Sequence, residues 1–172
     1  MGVREGFAKS NIATKIAFFI VLLAVFANWI AFCTTSWYRN AGTYVGLWRV
    51  CTSSIACSVL DGSPNDKLDA IQAFAVFGFM FLNVGFILIL LYMFVGKFKG
   101  NAEAGIGSAI CLIMSAATWL ISVAIFGAEY DDNGSDKLGY SYALAVCALI
   151  LALIGGIIMI IGGRGNSSVS SK

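Results

Sequence analysis

The chain has 172 residues, of which 59% are hydrophobic and only 12% charged, with a single proline, no histidine and a formal net charge of +2. Soluble domains carry about twice that share of charge, so an aqueous globular fold is excluded. So is any chemistry that needs an imidazole as base or metal ligand.

The charges sit in short islands. Between them lie uncharged gaps of 23 residues (Lys15 to Arg39), 27 (Asp69 to Lys97), 25 (Glu103 to Glu129) and 26 (Lys137 to Arg164). About 20 apolar residues cross a bilayer as a helix. In hydrocarbon the backbone can satisfy its own polar groups only as a helix or a closed barrel. The runs FFIVLLAVFANWIAF and FLNVGFILILLYMFV are apolar on all faces and do not alternate, which argues against a barrel. The expected fold class is an all-α membrane protein: a four-transmembrane, left-handed helix bundle with a small disulfide-tied extracellular β-sheet in its first loop.

In chain order, Arg4, Lys9 and Lys15 precede a first helix expected over Ile16 to Cys33. Its apolar run is longer than that of a signal peptide, and no small-x-small site closes it before Thr34, so a span rather than a cleaved leader is expected. Residues 34–69 form a loop, too short for an independent core. Within it, Asn40-Ala41-Gly42 reads as a turn, Thr43 to Val50 as a strand rich in β-branched and aromatic residues, and Ser58 to Leu60 as a second strand. The second, third and fourth helices are expected over Ala70 to Val95, Ile106 to Ala128 and Tyr140 to Ile161, with a short acidic loop over 129–139. That loop, with four acidic residues and one lysine, reads as a solvated turn.

Four spans put both termini and the loop after Val95 on one side. That side carries seven Lys or Arg against two acidic residues, whereas the other two loops carry four basic residues against seven acidic ones. Retention of Lys and Arg on the cytoplasmic side makes the termini cytoplasmic and the 34–69 and 129–139 loops extracellular. The charge asymmetry therefore reports topology, and no nucleic-acid partner is expected. Cys51 and Cys57 are the only cysteines in the extracellular loops, where disulfides persist, so they are expected to pair. The bridge would fix strand register in addition to its entropic contribution. Cys33, Cys111 and Cys147 fall within spans and are expected to pack as small apolar side chains. Trp37, where the first helix leaves the bilayer, reads as an interfacial anchor. Trp48 reads as packing onto the helix ends or the outer lipid surface ahead of contact with a partner.

Within the spans Asn28, Gln72 and Asn83 are the polar exceptions, and they read as interhelical hydrogen-bonding groups. Gly78, Gly85, Gly105, Gly107, Gly155, Gly156, Gly162 and Gly163 are expected to let helices approach closely. Asn133-Gly134-Ser135 is a possible glycosylation site on the extracellular side. No catalytic, cofactor or metal-binding constellation is visible, and a non-enzyme is expected.

Trp37, then Gly46-Leu47-Trp48, then Cys51 and Cys57, on the first extracellular loop of a tetraspan chain, resembles the W…GLW…C…C signature of the superfamily of claudins, peripheral myelin protein and epithelial membrane proteins. The resemblance implies a cell-junction membrane protein that assembles side by side and from cell to cell, contributing to a paracellular barrier or channel, and gives the 129–139 loop an adhesive tip as the alternative to a solvated turn. Alternatives within the superfamily are an auxiliary subunit of an ion channel or receptor and a myelin- or lens-type membrane organiser. It gives Trp37, Gly46, Leu47 and Trp48 as signature residues, with Gly46 at a tight backbone approach or bulge. The implied partners are the lipid bilayer, further copies of the chain, or a channel or receptor. The intervals from Trp37 to Trp48 and from Cys51 to Cys57 are shorter than in vertebrate claudins, and Asp69-Ala70 stands where claudins carry Arg. The chain ends at Lys172, so no PDZ-binding C-terminus is evident. These departures suggest a divergent, invertebrate-type member with a reduced sheet.

Overall fold

The computed structural model describes residues 3–8, 10–40, 42–52, 56–60, 65–96, 98, 100–130 and 137–164. Helix α1 (Val3–Ala8) leads into α2 (Ile12–Cys33); four short strands follow, β1 (Tyr38–Asn40), β2 (Thr43–Val45), β3 (Arg49–Thr52) and β4 (Cys57–Val59). The chain then forms α3 (Asp66–Phe94), α4 (Ala102–Tyr130) and α5 (Tyr140–Arg164). Helices α2 to α5 are each long and apolar enough to cross a membrane.

Helices α3 and α4 begin before the expected apolar runs. At 29 residues, α3 and α4 are about 43 Å long against a hydrocarbon thickness of about 30 Å, so their ends stand in the interfacial layers. Local caps explain the extension. The Asn65 side-chain oxygen accepts the backbone N–H of Lys67 and Leu68, and Asp66 and Asp69 lie in the positive first turn of α3. Asn101 accepts the N–H of Glu103 in the same way at the start of α4. Asp69 and Glu103, two of the charged residues that bound the uncharged gaps, therefore lie in the first turns of helices. The small α1 was not foreseen: it lies against the end of α3, where Gly6 faces Phe94, and its Phe7 ring meets Phe19 of α2.

The four spans pack α4 against both α3 and α5, and α5 against α2. The α2–α3 seam is the sparsest. Small residues set the close seams. A Cβ on Gly78 would lie 2.6 Å from the Trp119 ring, and one on Gly85 would lie 3.0 Å from Leu112. A Cβ on Gly155 would overlap Val21, whereas one on Gly107 would make only an ordinary contact with Leu88. Polar groups tie the same seams. From α4, Ser115 donates to the Gly78 carbonyl (2.7 Å), Ser122 to that of Ile71 (2.9 Å), and the Trp119 indole N–H to Asn28 of α2 (2.9 Å). Across the looser α2–α3 seam, Asn83 accepts from the Trp29 indole (3.2 Å) and donates to the Phe79 carbonyl (2.7 Å). Asn28 and Asn83 are thus interhelical links. The free cysteines depart from the expected core packing, because Cys33 and Cys147 are exposed on the outside of the bundle and Cys111 is half-buried.

Since the Trp119 ring is fully buried and cannot yield, Gly78→Ala should destabilise the protein by about 1–3 kcal/mol. Gly107→Ala should stay within about 0.5 kcal/mol of the unmodified chain. Thermal unfolding of the two variants in detergent micelles measures the contrast.

Candidate functional site

The four strands form one antiparallel sheet in the order β1-β2-β3-β4. The single strand expected over Thr43 to Val50 is instead a hairpin: β2 pairs with β3, and Gly46-Leu47-Trp48 is the turn between them, closed by Gly46 N–H to the Arg49 carbonyl (2.9 Å). The reason is the packing of that turn on the bundle. A Cβ on Gly46 would lie 2.7 Å from Thr35 Cα and 3.1 Å from the Thr34 carbonyl, so the backbone reaches the end of α2 only because the residue is glycine. Leu47 is fully buried, and its carbonyl accepts the Gln72 side-chain amide from α3 (2.7 Å). At the β1–β2 turn Gly42 has φ 86°, a conformation that favours glycine.

Cys51 and Cys57 face each other directly across β3 and β4 and are joined by a disulfide. The Thr52 N–H to Ala56 carbonyl bond (3.1 Å) closes the strands next to it. On the row through the cysteines, Arg39 of β1 lies opposite Tyr44 of β2 and stacks over its ring at 5.2 Å.

Trp37 is not an interfacial anchor. It is fully buried, its indole N–H donates to the Ala31 carbonyl (2.8 Å), its ring stacks on Trp119, and the rings of Phe126 and Tyr142 meet it edge-on. Trp48 donates to the next carbonyl, Phe32 (3.0 Å), and packs edge-to-face on the Phe32 ring. Thr34 covers the carbonyl before these, with both its N–H (3.1 Å) and its hydroxyl (2.6 Å) on Ile30. A helix leaves its last four carbonyls without partners. Of the carbonyls left open at the end of α2, those of Ala31 and Phe32 are capped by Trp37 and Trp48, and the Thr34 hydroxyl adds a second donor to Ile30. The two signature tryptophans act through their N–H groups as well as through their area.

The second loop joins the same structure through residues that the sequence reading passed over. Gly139 N–H donates to the Trp37 carbonyl (2.8 Å), Ser141 N–H to that of Ser36 (3.1 Å), and Leu138 forms a β-bridge with Tyr38. The hydroxyls of Ser141 and Thr34 are hydrogen-bonded at 2.6 Å. A Cβ on Gly139 would overlap the Ser36 carbonyl oxygen. The only hint in the sequence is a glycine directly before the apolar run of α5. Lys67 and Glu129 pair across α3 and α4 at 2.5 Å, an exposed contact of little energetic weight. Asn133 lies outside the described residues. Among the described residues no three His, Cys, Asp or Glu side chains converge where a metal ion could sit.

Trp37→Phe keeps most of the buried area but strands the Ala31 carbonyl, and should cost about 1–3 kcal/mol. Cys51→Ser should cost about 2 kcal/mol and lower delivery to the cell surface, whereas Cys111→Ser should do neither. Thermal unfolding and surface biotinylation of the three variants check these values.

The arrangement is a sheet held on a helix end by backbone and indole hydrogen bonds, suited to presenting a fixed surface. A family model described as "PMP-22/EMP/MP20/Claudin family" matches residues 11–159, from α2 through most of α5. Epithelial membrane protein 2 of Homo sapiens is 25% identical over 163 residues, covering 87% of this chain and 95% of that protein. Epithelial membrane protein 1 of Oryctolagus cuniculus is 26% identical over 157 residues, covering 83% and 96%. Epithelial membrane protein 3 of Bos taurus is 29% identical over 149 residues, covering 82% and 88%. With a tetraspan bundle, a disulfide-tied sheet after the first span and a family match over most of its length, the chain belongs to the PMP-22/EMP/MP20/Claudin family.

Proposed function

We propose that this protein is a non-catalytic membrane component of cell–cell contacts, which assembles side by side in one membrane and meets its counterpart from the next cell, contributing to a paracellular barrier or channel. The sheet would face outward and both termini the cytoplasm, as the distribution of Lys and Arg requires. The observation that supports assembly is the free edge of β4. All three of its residues are exposed, and no strand among the described residues pairs with its outer side. The pairs Thr52 with Ala56 and Trp48 with Leu60 share hydrogen bonds, so by alternation the backbone groups of Cys57 and Val59 point away from β3. Such an edge is a template for a strand of another molecule. The relatives are named as proteins of epithelial membranes, which fits a role in cell sheets.

A cytoplasmically tagged form, expressed in cells lacking related proteins and mixed with non-expressing cells, should collect where two expressing cells touch. Val59→Pro removes one outward N–H without breaking the β3–β4 ladder, and should reach the surface yet lose most of that enrichment. A uniform surface label for the unmodified chain would reject the contact role. It would favour an auxiliary subunit that caps a channel or receptor in its own membrane, a task that strands of three or four residues would suit.

A further inference from the structure

Between the end of α2 and strand β3 lies a half-open cavity of about 370 Å³, lined by Phe32, Cys33, Thr34, Thr35, Trp48 and Arg49. Its walls are mainly apolar. The Trp48 N–H is engaged on the Phe32 carbonyl and the Thr34 hydroxyl on Ile30 and Ser141; Phe32 stacks on Phe79 and meets Trp48 edge-on, so the two rings line the space with their remaining apolar surface, beside Thr35. Arg49 is the one charged group on the lining, and the ion pair and hydrogen bonds found among the described residues leave its guanidinium free. Its cross-strand neighbour, Val59, is apolar and 65% exposed.

The cavity begins where a membrane span ends. Phe26, Ile30 and Cys33 follow one another at helical spacing on the outside of α2, and all three are exposed, so an apolar stripe of that span leads into the space beside Cys33. A molecule filling it must therefore offer hydrocarbon below and an anion at the level of the lipid headgroups. A free anion would leave the aromatic walls wet, and a sterol would leave Arg49 unpaired. We propose that the cavity is a phospholipid site, in which Arg49 holds the phosphate and the upper part of one chain lies against Phe32 and Trp48.

Native mass spectrometry of the full chain, released from micelles containing dioleoylphosphatidylcholine, dioleoylphosphatidylglycerol or dioleoylglycerol, tests this. One molecule of either phospholipid should be retained per chain, on the order of tenfold more than dioleoylglycerol, which has the same chains and no phosphate. Arg49→Gln should bring phospholipid retention down to the dioleoylglycerol level, whereas Arg39→Gln, on the same sheet away from the cavity, should leave it unchanged. Because Arg49 is exposed, the variant and the unmodified chain should unfold at the same temperature in lipid-free micelles, which separates loss of lipid from loss of fold. Retention unaffected by Arg49→Gln, equal retention of dioleoylglycerol, or displacement of the lipid by millimolar inorganic phosphate would overturn the assignment.

Discussion

The end of α2 is the point on which the head of this molecule depends. A spanning helix that stops at the membrane surface presents carbonyls to a region poor in water, where unpaired polar groups are costly. Here the Thr34 hydroxyl adds a second donor to Ile30, and the open carbonyls of Ala31 and Phe32 are taken up by side chains of the segment that follows, Trp37 and Trp48. To make the last two bonds the chain must return twice to the same helix end. The β1–β2 hairpin is the path between the two visits. The sheet is thus a consequence of capping a helix with two indoles that lie eleven positions apart.

Close backbone approach fixes the geometry around that point. Gly46 brings the β2–β3 turn down onto Thr34 and Thr35, and Gly139 brings the start of α5 onto Ser36. Neither contact leaves room for a side chain. With the Leu47 carbonyl held by Gln72, the head is tied to α2, α3 and α5 at once, while Trp37 stacks on Trp119 from α4. A surface braced by all four spans keeps its shape against a neighbour, which lowers the ordering cost of association.

The spans were legible because hydrocarbon imposes a simple rule on composition, and four long uncharged gaps could mean little else. Their ends were not, since Asp66, Asp69 and Glu103 look like loop residues until Asn65 and Asn101 are seen to cap the turns that contain them. The disulfide followed from compartment and elimination. The break of the long strand at Gly46 did not, because local propensity favours extension through Trp48 and only the tertiary contact with α2 bends it. Trp37 was misread for a related reason: an indole beside a membrane boundary has two uses, and only the position of Trp119 and the Ala31 carbonyl selects burial. Gly139 gives no more signal than a glycine before an apolar run, as its role lies in a contact with Ser36, 103 positions earlier.

That distance has a consequence for biosynthesis. Thr34 and Ser141, which share a hydrogen bond, are 107 positions apart. At ordinary rates of translation, on the order of 5–20 s pass between the emergence of the two. Throughout that interval the first loop lacks the strand bridge and the backbone bonds that Leu138, Gly139 and Ser141 supply. Closure of the head therefore reports that the last span has arrived and docked, and an exposed, unfinished first loop marks a chain whose insertion is incomplete.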